Sequence, residues 1–242
     1  MTAPATPGPW APISLPPPSQ ERYEVKFLIH RSQLPIVQGW LHTHRVGWSS
    51  PFAQRIVNNA YFDTPDLDAL QDNLAGVAHR RKVRLRWYGD TWQPTNWTLE
   101  IKGRTGSVGW KWQFDAGEPP DLRQTTWRSI QSAAIRKVSP ALALLWQQQP
   151  VATLVNRYSR QYFLSRDCRM RLTVDKDLCH WPQRSQGRPQ LQVGAPLDEL
   201  VVLEMKCAIA DRELAASALA DWPLRVVQHS KFVRGMEFLV HR

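Results

Sequence analysis

Residues 82–88 have the sequence KVRLRWY, in which Lys82, Arg84 and Arg86 alternate with apolar side chains. Side chains two apart on a β-strand point to the same face of the sheet. The segment therefore predicts a strand with one basic face and one apolar face.

The same alternation recurs along the chain. Charged residues stand two apart, with apolar residues between them, in residues 24–26, 100–104, 169–175 and 204–206. A sheet with one face in solvent gives this pattern, and that is the simplest interpretation. Here, however, the charged positions are mainly Lys and Arg with single glutamates among them, rather than Thr, Ser and Gln. We therefore predict a sheet that closes around its charged face and carries helices on its apolar face.

A lumen lined by basic side chains is unfavourable by itself, because like charges repel strongly where the dielectric is low. A polyanion threaded through the lumen would relieve this repulsion. The few glutamates would suit a divalent cation that bridges to phosphate oxygens.

Composition is consistent with a single globular domain that binds an anion. The chain has 242 residues, 43% of them hydrophobic, and a net charge of +10. A positive field of this size favours nucleic acid, polyphosphate, nucleotides or an acidic membrane surface as a partner. Net charge alone does not distinguish these partners, so the positions of the charged residues have to be considered.

Other features limit the class of protein. The three cysteines, Cys168, Cys179 and Cys207, form no CxxC pair, which argues against a disulfide framework or a closed thiolate zinc site. No run of about 18 apolar residues predicts a membrane span, and the start of the chain lacks the pattern of a signal peptide. We predict a cytoplasmic protein.

Seven of the 19 prolines fall within residues 1–20, which predicts a disordered tail followed by one domain over 21–242. Within that domain, hydrophobic periodicity and turn residues predict the elements. The predicted strands are 23–29, 55–62, 78–88, 95–104, 109–114, 151–165, 168–178 and 199–208. The predicted helices are 32–42, a short one ending near 74 and preceded by the capping residue Asp63, 121–137, 140–147, 211–220 and 229–240, with a polar loop over 183–196.

Several short motifs occur in a definite order along the chain. They are Glu24-Val25-Lys26, YFDTP at 61–65, KVRLRWY at 82–88, LEIK at 99–102, LEMK at 203–206 and SKFVRG at 230–235. Together they resemble the VTC domain, the polyphosphate polymerase branch of the CYTH superfamily of triphosphate tunnel metalloenzymes. The resemblance extends over nearly all of residues 21–242.

The resemblance implies an α+β fold, an eight-stranded antiparallel β-barrel tunnel with a charged lumen and surrounding helices. It implies transfer of the γ-phosphoryl group of ATP onto a polyphosphate chain, with Mn²⁺ or Mg²⁺ as cofactor. ATP and polyphosphate would be the ligands. The eukaryotic relative works in a membrane assembly, so coupling to a membrane would require a separate partner protein here.

The resemblance also implies which residues form the site, by their positions in the matching motifs. The resemblance implies catalytic roles for Lys231, Arg84 and Arg86. It implies phosphate contacts for Lys26, Lys82, Lys102, Lys111, Arg157, Tyr158, Arg160, Arg171 and Ser230. Glu204 would be the principal metal ligand, with Glu24 beside it. Glu100 has two open interpretations, as a metal ligand or as the partner of an arginine in the lumen.

The first strand departs from the superfamily pattern, because Arg22 stands where many members have a further glutamate. This argues against the adenylate cyclase and thiamine triphosphatase branches, which use the fuller glutamate set.

Two other functions remain open. The same tunnel could hydrolyse triphosphate or nucleoside triphosphates, or it could bind polyphosphate without catalysis. Nucleic acid is not an expected partner, since no basic recognition helix is predicted for a DNA groove. The oligomeric state is not determined by the sequence.

Overall fold

The computed structural model describes residues 22–105, 108–184, 186–197, 199–222 and 224–240. The Pro-rich segment 1–20 lies outside the described residues. Within these ranges the strands are β1 (Arg22–His30), β2 (Arg55–Asp63), β3 (His79–Tyr88), β4 (Thr98–Thr105), β5 (Val108–Asp115), β6 (Val151–Leu164), β7 (Met170–Pro182), β8 (Ala195–Leu197) and β9 (Leu200–Ala208). The α-helices are α1 (Leu34–Thr43), α2 (Asp68–Leu74), α3 (Trp127–Ile135), α4 (Pro140–Gln147), α5 (Arg212–Ala218) and α6 (Lys231–Val240).

Eight of the strands form one antiparallel sheet in the order β1-β9-β7-β6-β2-β3-β4-β5, and the short β8 pairs with β7. The sheet curls so far that its two edge strands, β1 and β5, approach within 8 Å between Cα atoms. The result is a half-barrel with a concave inner face. The predicted α+β fold, with an eight-stranded antiparallel sheet around a lumen and helices outside it, is confirmed.

The apolar faces of the strands point outward and are covered by the helices. Phe62 of β2 meets the edges of Trp127 in α3 and Trp146 in α4, with ring centroids 5.7 and 5.3 Å apart. On the other side, Phe27 of β1 packs 5.6 Å from Trp222. Since successive side chains alternate, this outer core turns the charged residues of the same strands inward.

Asp63 connects β2 to α2 as predicted. Its carboxylate accepts hydrogen bonds from the backbone N–H groups of Thr64, Ala69 and Leu70 at 2.8–3.0 Å. The last two belong to the first turn of α2, whose N–H groups have no partner within the helix. Asp63 therefore caps this helix.

The structure differs from the sequence prediction most clearly at α3, β7 and β8. Residues 121–126 form a turn rather than helix, since the Asp121 carboxylate accepts from the Arg123 N–H, and α3 begins only after the cap of Thr126. Strand β7 continues to Pro182, and β8 lies in the predicted loop. The Pro- and Gly-rich composition concealed β8, which is held by pairing with residues 178–180.

Helix α6 packs closely against the sheet at Gly235. Phe232 stacks on Tyr61 with ring centroids 5.0 Å apart, and Gly235 lies against His180 and Leu154. A Cβ atom at Gly235 would come within 2.4 Å of His180 Cδ2 and 2.7 Å of Leu154 Cδ2. The close approach at Gly235 therefore fixes how deeply the helix is seated. None of the helices in the described ranges has the length and apolarity needed to cross a membrane.

We expect Gly235→Ala to lower the free energy of unfolding by about 1–3 kcal/mol, because the added methyl group overpacks the contact with His180 and Leu154. Urea denaturation followed by tryptophan fluorescence measures this change.

The matched control is Gly39→Ala in α1, where a Cβ atom would meet no neighbour within 4 Å. This variant should be more stable than the wild type by roughly 0.5–1 kcal/mol, because alanine replaces glycine inside an exposed helix. Equal stability of the two variants would contradict the close seating of α6.

Candidate functional site

One wall of the lumen is built by β3, β4 and β5. Lys82, Arg84 and Arg86 share the inner face of β3, and the register places Lys82 opposite Lys102 of β4, which is opposite Lys111 of β5. A row of three lysines thus crosses three strands. The apolar residues between the basic ones are buried in the outer core.

The facing wall is built by β1, β9 and β7. The register places Glu24 opposite Lys206 and Lys26 opposite Glu204, so acidic and basic residues alternate on this wall. Lys206 is in turn opposite Arg171. Burial, followed by the positive charges of Lys206 and Arg84, holds the pKa of Lys102 well below its usual value. The approach of the edge strands β1 and β5 brings these two walls together around the lumen.

The third wall carries an ion-pair cluster around Asp175 of β7, whose side chain is fully buried. Arg160 of β6 donates to both carboxylate oxygens of Asp175 at 2.6 and 2.7 Å. Lys231 of α6 lies 2.6 Å from Asp175 Oδ2, and its ammonium group is 4.9 Å from the ring centroid of Tyr158. Burial alone would raise the pKa of Asp175, but Arg160 and Lys231 outweigh it and lower the pKa.

Glu100 holds three basic side chains of the first wall in place. It accepts from Arg84 Nε at 2.9 Å, and it lies 3.5 Å from Arg86 Nη1 and 3.7 Å from Lys111 Nζ. Burial would raise the pKa of Glu100, but Arg84 and Arg86 lower it below its usual range. Of the two open interpretations of Glu100, the structure therefore favours pairing with arginine over metal binding.

Sequence reasoning missed the polar side chains that orient these arginines. Asn59 Oδ1 accepts from Arg86 Nε at 2.9 Å, while Asn59 Nδ2 donates to Asn156. The hydroxyl group of Tyr61 accepts from Arg84 Nη1 at 3.1 Å. The available signal was the pair of asparagines at 58 and 59, inside an otherwise mostly apolar strand.

Two carboxylates converge on one cationic position between β1 and β9. Lys206 Nζ lies 2.8 Å from Glu24 Oε1 and 3.2 Å from Glu204 Oε2. Burial would raise the pKa of Glu204, but Lys206 and Lys26 hold it well below its usual value. No cluster of three or more potential metal ligands occurs within the described ranges. Proteins commonly hold Mg²⁺ with one or two carboxylates plus substrate phosphates, so Glu24 and Glu204 fit a hard divalent cation that phosphate oxygens complete.

The segment before α6 contacts three strands of the sheet. The Val227 N–H donates to the carbonyl oxygen of Lys26, on the side of β1 away from β9. Lys26 Nζ donates to the carbonyl oxygen of His229 at 3.0 Å, and Lys82 Nζ donates to Ser230 Oγ at 2.8 Å. With Lys231 on Asp175, residues 227–231 therefore contact β1, β3 and β7, and we call them the C-terminal strap.

Positive charge in the lumen is incompletely neutralised. Burial lowers the pKa of Lys82 to about 7, and the charges of Lys26, Arg80, Arg84 and Arg104 add to the effect. A lysine with so low a pKa marks a position where further negative charge would be favourable. The lumen is thus suited to an anionic ligand.

Arg157 does not join the other predicted phosphate-contacting residues. Its neighbour Tyr158 faces the lumen, so alternation turns Arg157 to the outer face of β6. There its guanidinium group lies 3.8 Å from the ring centroid of Trp92, and it pairs with Asn58 and Asp90. The structure brings together the remaining predicted site residues: Glu24, Lys26, Lys82, Arg84, Arg86, Glu100, Lys102, Lys111, Tyr158, Arg160, Arg171, Glu204, Ser230 and Lys231.

We expect Glu100→Gln to lower the free energy of unfolding by about 3–5 kcal/mol, because it leaves buried guanidinium groups without their counter-charge. Because the native pKa of Glu100 is lowered, its contribution is complete above the unfolded pKa of about 4.3 and is lost as pH falls. The difference between wild type and variant should therefore shrink below about pH 4. Urea titrations at several pH values measure it.

Glu118→Gln, at an exposed glutamate, is the control and should change stability by less than about 0.5 kcal/mol. A Glu100→Gln variant as stable as this control would contradict the role assigned to Glu100.

Two solved structures resemble this fold in outline. The PH1819 protein from Pyrococcus horikoshii OT3 is 10% identical, with a TM-score of 0.47, and the alignment covers 90% of this chain and 98% of that one. A protein from Vibrio parahaemolyticus, named as a proposed adenylate cyclase, is 14% identical with a TM-score of 0.48, over 91% of this chain and 98% of that one. Similarities at these scores carry no argument about function.

No curated protein sequence matches this chain. The family model of the VTC domain, in contrast, matches residues 21–240, which include every strand of the curled sheet, the basic lumen and the C-terminal strap. The chain belongs to the VTC domain family, a branch of the CYTH superfamily of triphosphate tunnel proteins.

Proposed function

We propose that this protein is a metal-dependent polyphosphate polymerase, which transfers the γ-phosphoryl group of ATP onto a polyphosphate chain inside its lumen. The observation that carries the proposal is the excess of basic side chains on the inner face of the curled sheet, exemplified by Lys82 with its pKa of about 7. Linear polyphosphate is thin and carries negative charge along its whole length. Membership in the VTC family supports the same ligand class.

The two arginines of β3 are held in fixed orientations. Arg84 and Arg86 are fixed by Glu100, Asn59 and Tyr61, so their remaining N–H groups keep a constant direction. Fixed donors that point at developing charge stabilise a phosphoryl-transfer transition state without reorganisation.

The lysines supply positive charge without requiring one particular direction of hydrogen bonding. Lys26, Lys102 and Lys111 line the walls as point charges that can follow a moving chain of phosphates. Arg160, Arg171 and Tyr158 extend the lining along β6 and β7. We propose phosphate contacts for all six.

Glu204, with Glu24 beside it, would hold the divalent cation, Mn²⁺ or Mg²⁺. When bound, such an ion would supply positive charge to phosphate oxygens of the triphosphate. Lys206, which now lies between the two carboxylates, provides a positive charge at the same position.

Lys231 is placed to act near the reacting phosphates. It enters the lumen from the strap, and Asp175 fixes its ammonium group. In the proposed reaction the terminal oxygen of the polyphosphate chain attacks the γ-phosphorus of ATP, the bond from that phosphorus to the β–γ bridging oxygen breaks, and ADP leaves. Lys231, Arg84 and Arg86 stabilise the charge that develops on the transferred group.

We expect the purified protein to convert ATP, with Mn²⁺, into phosphate chains that form a ladder on a gel. Glu204→Gln and Lys231→Met should each lower the rate of chain synthesis by about 100-fold, since each removes a fixed charge from the transition state. The measurement is the gel together with a free-phosphate assay.

Lys137→Met, at an exposed lysine outside the lumen, is the matched control and should retain wild-type activity. Free phosphate without chains would replace the polymerase proposal with a hydrolase. Tight polyphosphate binding in EDTA, with no turnover of ATP, would leave a binding module without catalysis.

A further inference from the structure

Ser230 has an unusual partner for a serine at the start of a helix. Its Oγ atom accepts from the Val233 N–H at 3.4 Å, as a helix cap does. It also lies 2.8 Å from the ammonium nitrogen of Lys82, on a strand 148 residues away in sequence. A capping role accounts for the first contact but does not require the second.

Lys82 can reverse the direction of this hydrogen bond. Four basic side chains face it: Lys26 from β1, Arg80 and Arg84 from β3 itself, and Arg104 from β4. Together with burial they lower the pKa of Lys82 to about 7, so its ammonium group can lose a proton near neutral pH. An uncharged amine accepts the hydroxyl hydrogen of Ser230, and a serine beside a neutral lysine is an activated nucleophile.

The hydroxyl group lies where the basic walls meet. Lys26 contacts the residue before Ser230 through the His229 carbonyl, and Lys231, the residue after it, is held by Asp175. By contrast, Ser217 in α5 is exposed and accepts from Arg45. Ser230 combines an adjacent amine with the anion-binding lumen.

We propose that Ser230 is a phosphoryl acceptor, so that the protein phosphorylates itself inside the lumen with Lys82 as the base. The proposal rests on the proposed function, because a nucleoside triphosphate must occupy the lumen. Ser230 Oγ forms a bond to the γ-phosphorus, and the bond from that phosphorus to the β–γ bridging oxygen breaks. The hydroxyl proton passes to Lys82 Nζ, and a nucleoside diphosphate leaves.

The product is stabilised by the same residues. Lys82 becomes an ammonium ion beside the new phosphate, and Lys26 adds a second positive charge across the strap. A phosphate on Ser230 would be a covalently held terminal phosphate beside Lys82 in the lumen. It would give the enzyme an acceptor that does not have to diffuse in.

Mass spectrometry of the full chain after incubation with ATP and Mn²⁺ tests the proposal. Trypsin releases residues 226–231, VVQHSK, in which Ser230 is the one residue with a hydroxyl group. We expect an acid-stable phosphate on this peptide in the wild type and in Ser230→Thr, and none in Ser230→Ala.

Lys82→Arg tests the base, since arginine keeps the positive charge but does not accept a proton. Phosphorylation of Ser230 should be slower by roughly 100-fold in this variant, whereas Lys137→Arg should match the wild type. Thermal unfolding and polyphosphate binding, measured for each variant, separate a loss of the base from a loss of the fold. Unchanged phosphorylation in a folded Lys82→Arg protein would overturn the role of Lys82.

The results for Ser230 and for the polymerase are separable. Chains that lengthen while the peptide stays unmodified would overturn self-phosphorylation and leave the proposed function intact. An acid-labile phosphate on His229 would likewise overturn the assignment to Ser230. An acid-stable phosphate on Ser230 without chain synthesis would support self-phosphorylation and refute the polymerase. Absence of both ADP and modified peptide would overturn both.

Discussion

Repulsion among basic side chains enclosed in one lumen is the constraint on which the rest of this structure depends. The buried carboxylates of the lumen each serve more than one cation: Glu100 holds Arg84, Arg86 and Lys111, and Asp175 holds Arg160 and Lys231. Few acids are thus enough to keep the walls together. They leave a net positive charge that an anionic ligand would neutralise. The repulsion that lowers the stability of the protein without ligand is therefore the same repulsion that raises its affinity for an anion.

The outer shell has to supply the stability that the inner face does not. The apolar sides of β2–β5 form one continuous core with α3 and α4, rich in tryptophan, and β1, β7 and β9 form another with α1 and Trp222. Because every strand contributes one face to this shell and the other to the lumen, a change in register by one residue would exchange the two. The alternation therefore specifies both the fold and the site.

This alternation explains how much could be predicted from sequence. The inward positions of Lys82, Arg84 and Arg86 follow from the period of two along one strand. The partners of Glu100 do not, because they depend on the register between strands. The resemblance implied a phosphate contact for Arg157, but adjacent residues on a strand face opposite ways and its neighbour Tyr158 faces the lumen. The contact of Lys82 with Ser230 joins residues that no local pattern connects.

The C-terminal strap would also be a moving part of the lumen during the proposed reaction. It is held to β1 and β3 by the contacts of Lys26 with His229 and of Lys82 with Ser230. If the lumen holds a polyphosphate chain, as proposed above, a chain that passed the strap would have to break both contacts. Under that proposal, the length of the product would depend on how often the strap opens in relation to each addition of phosphate.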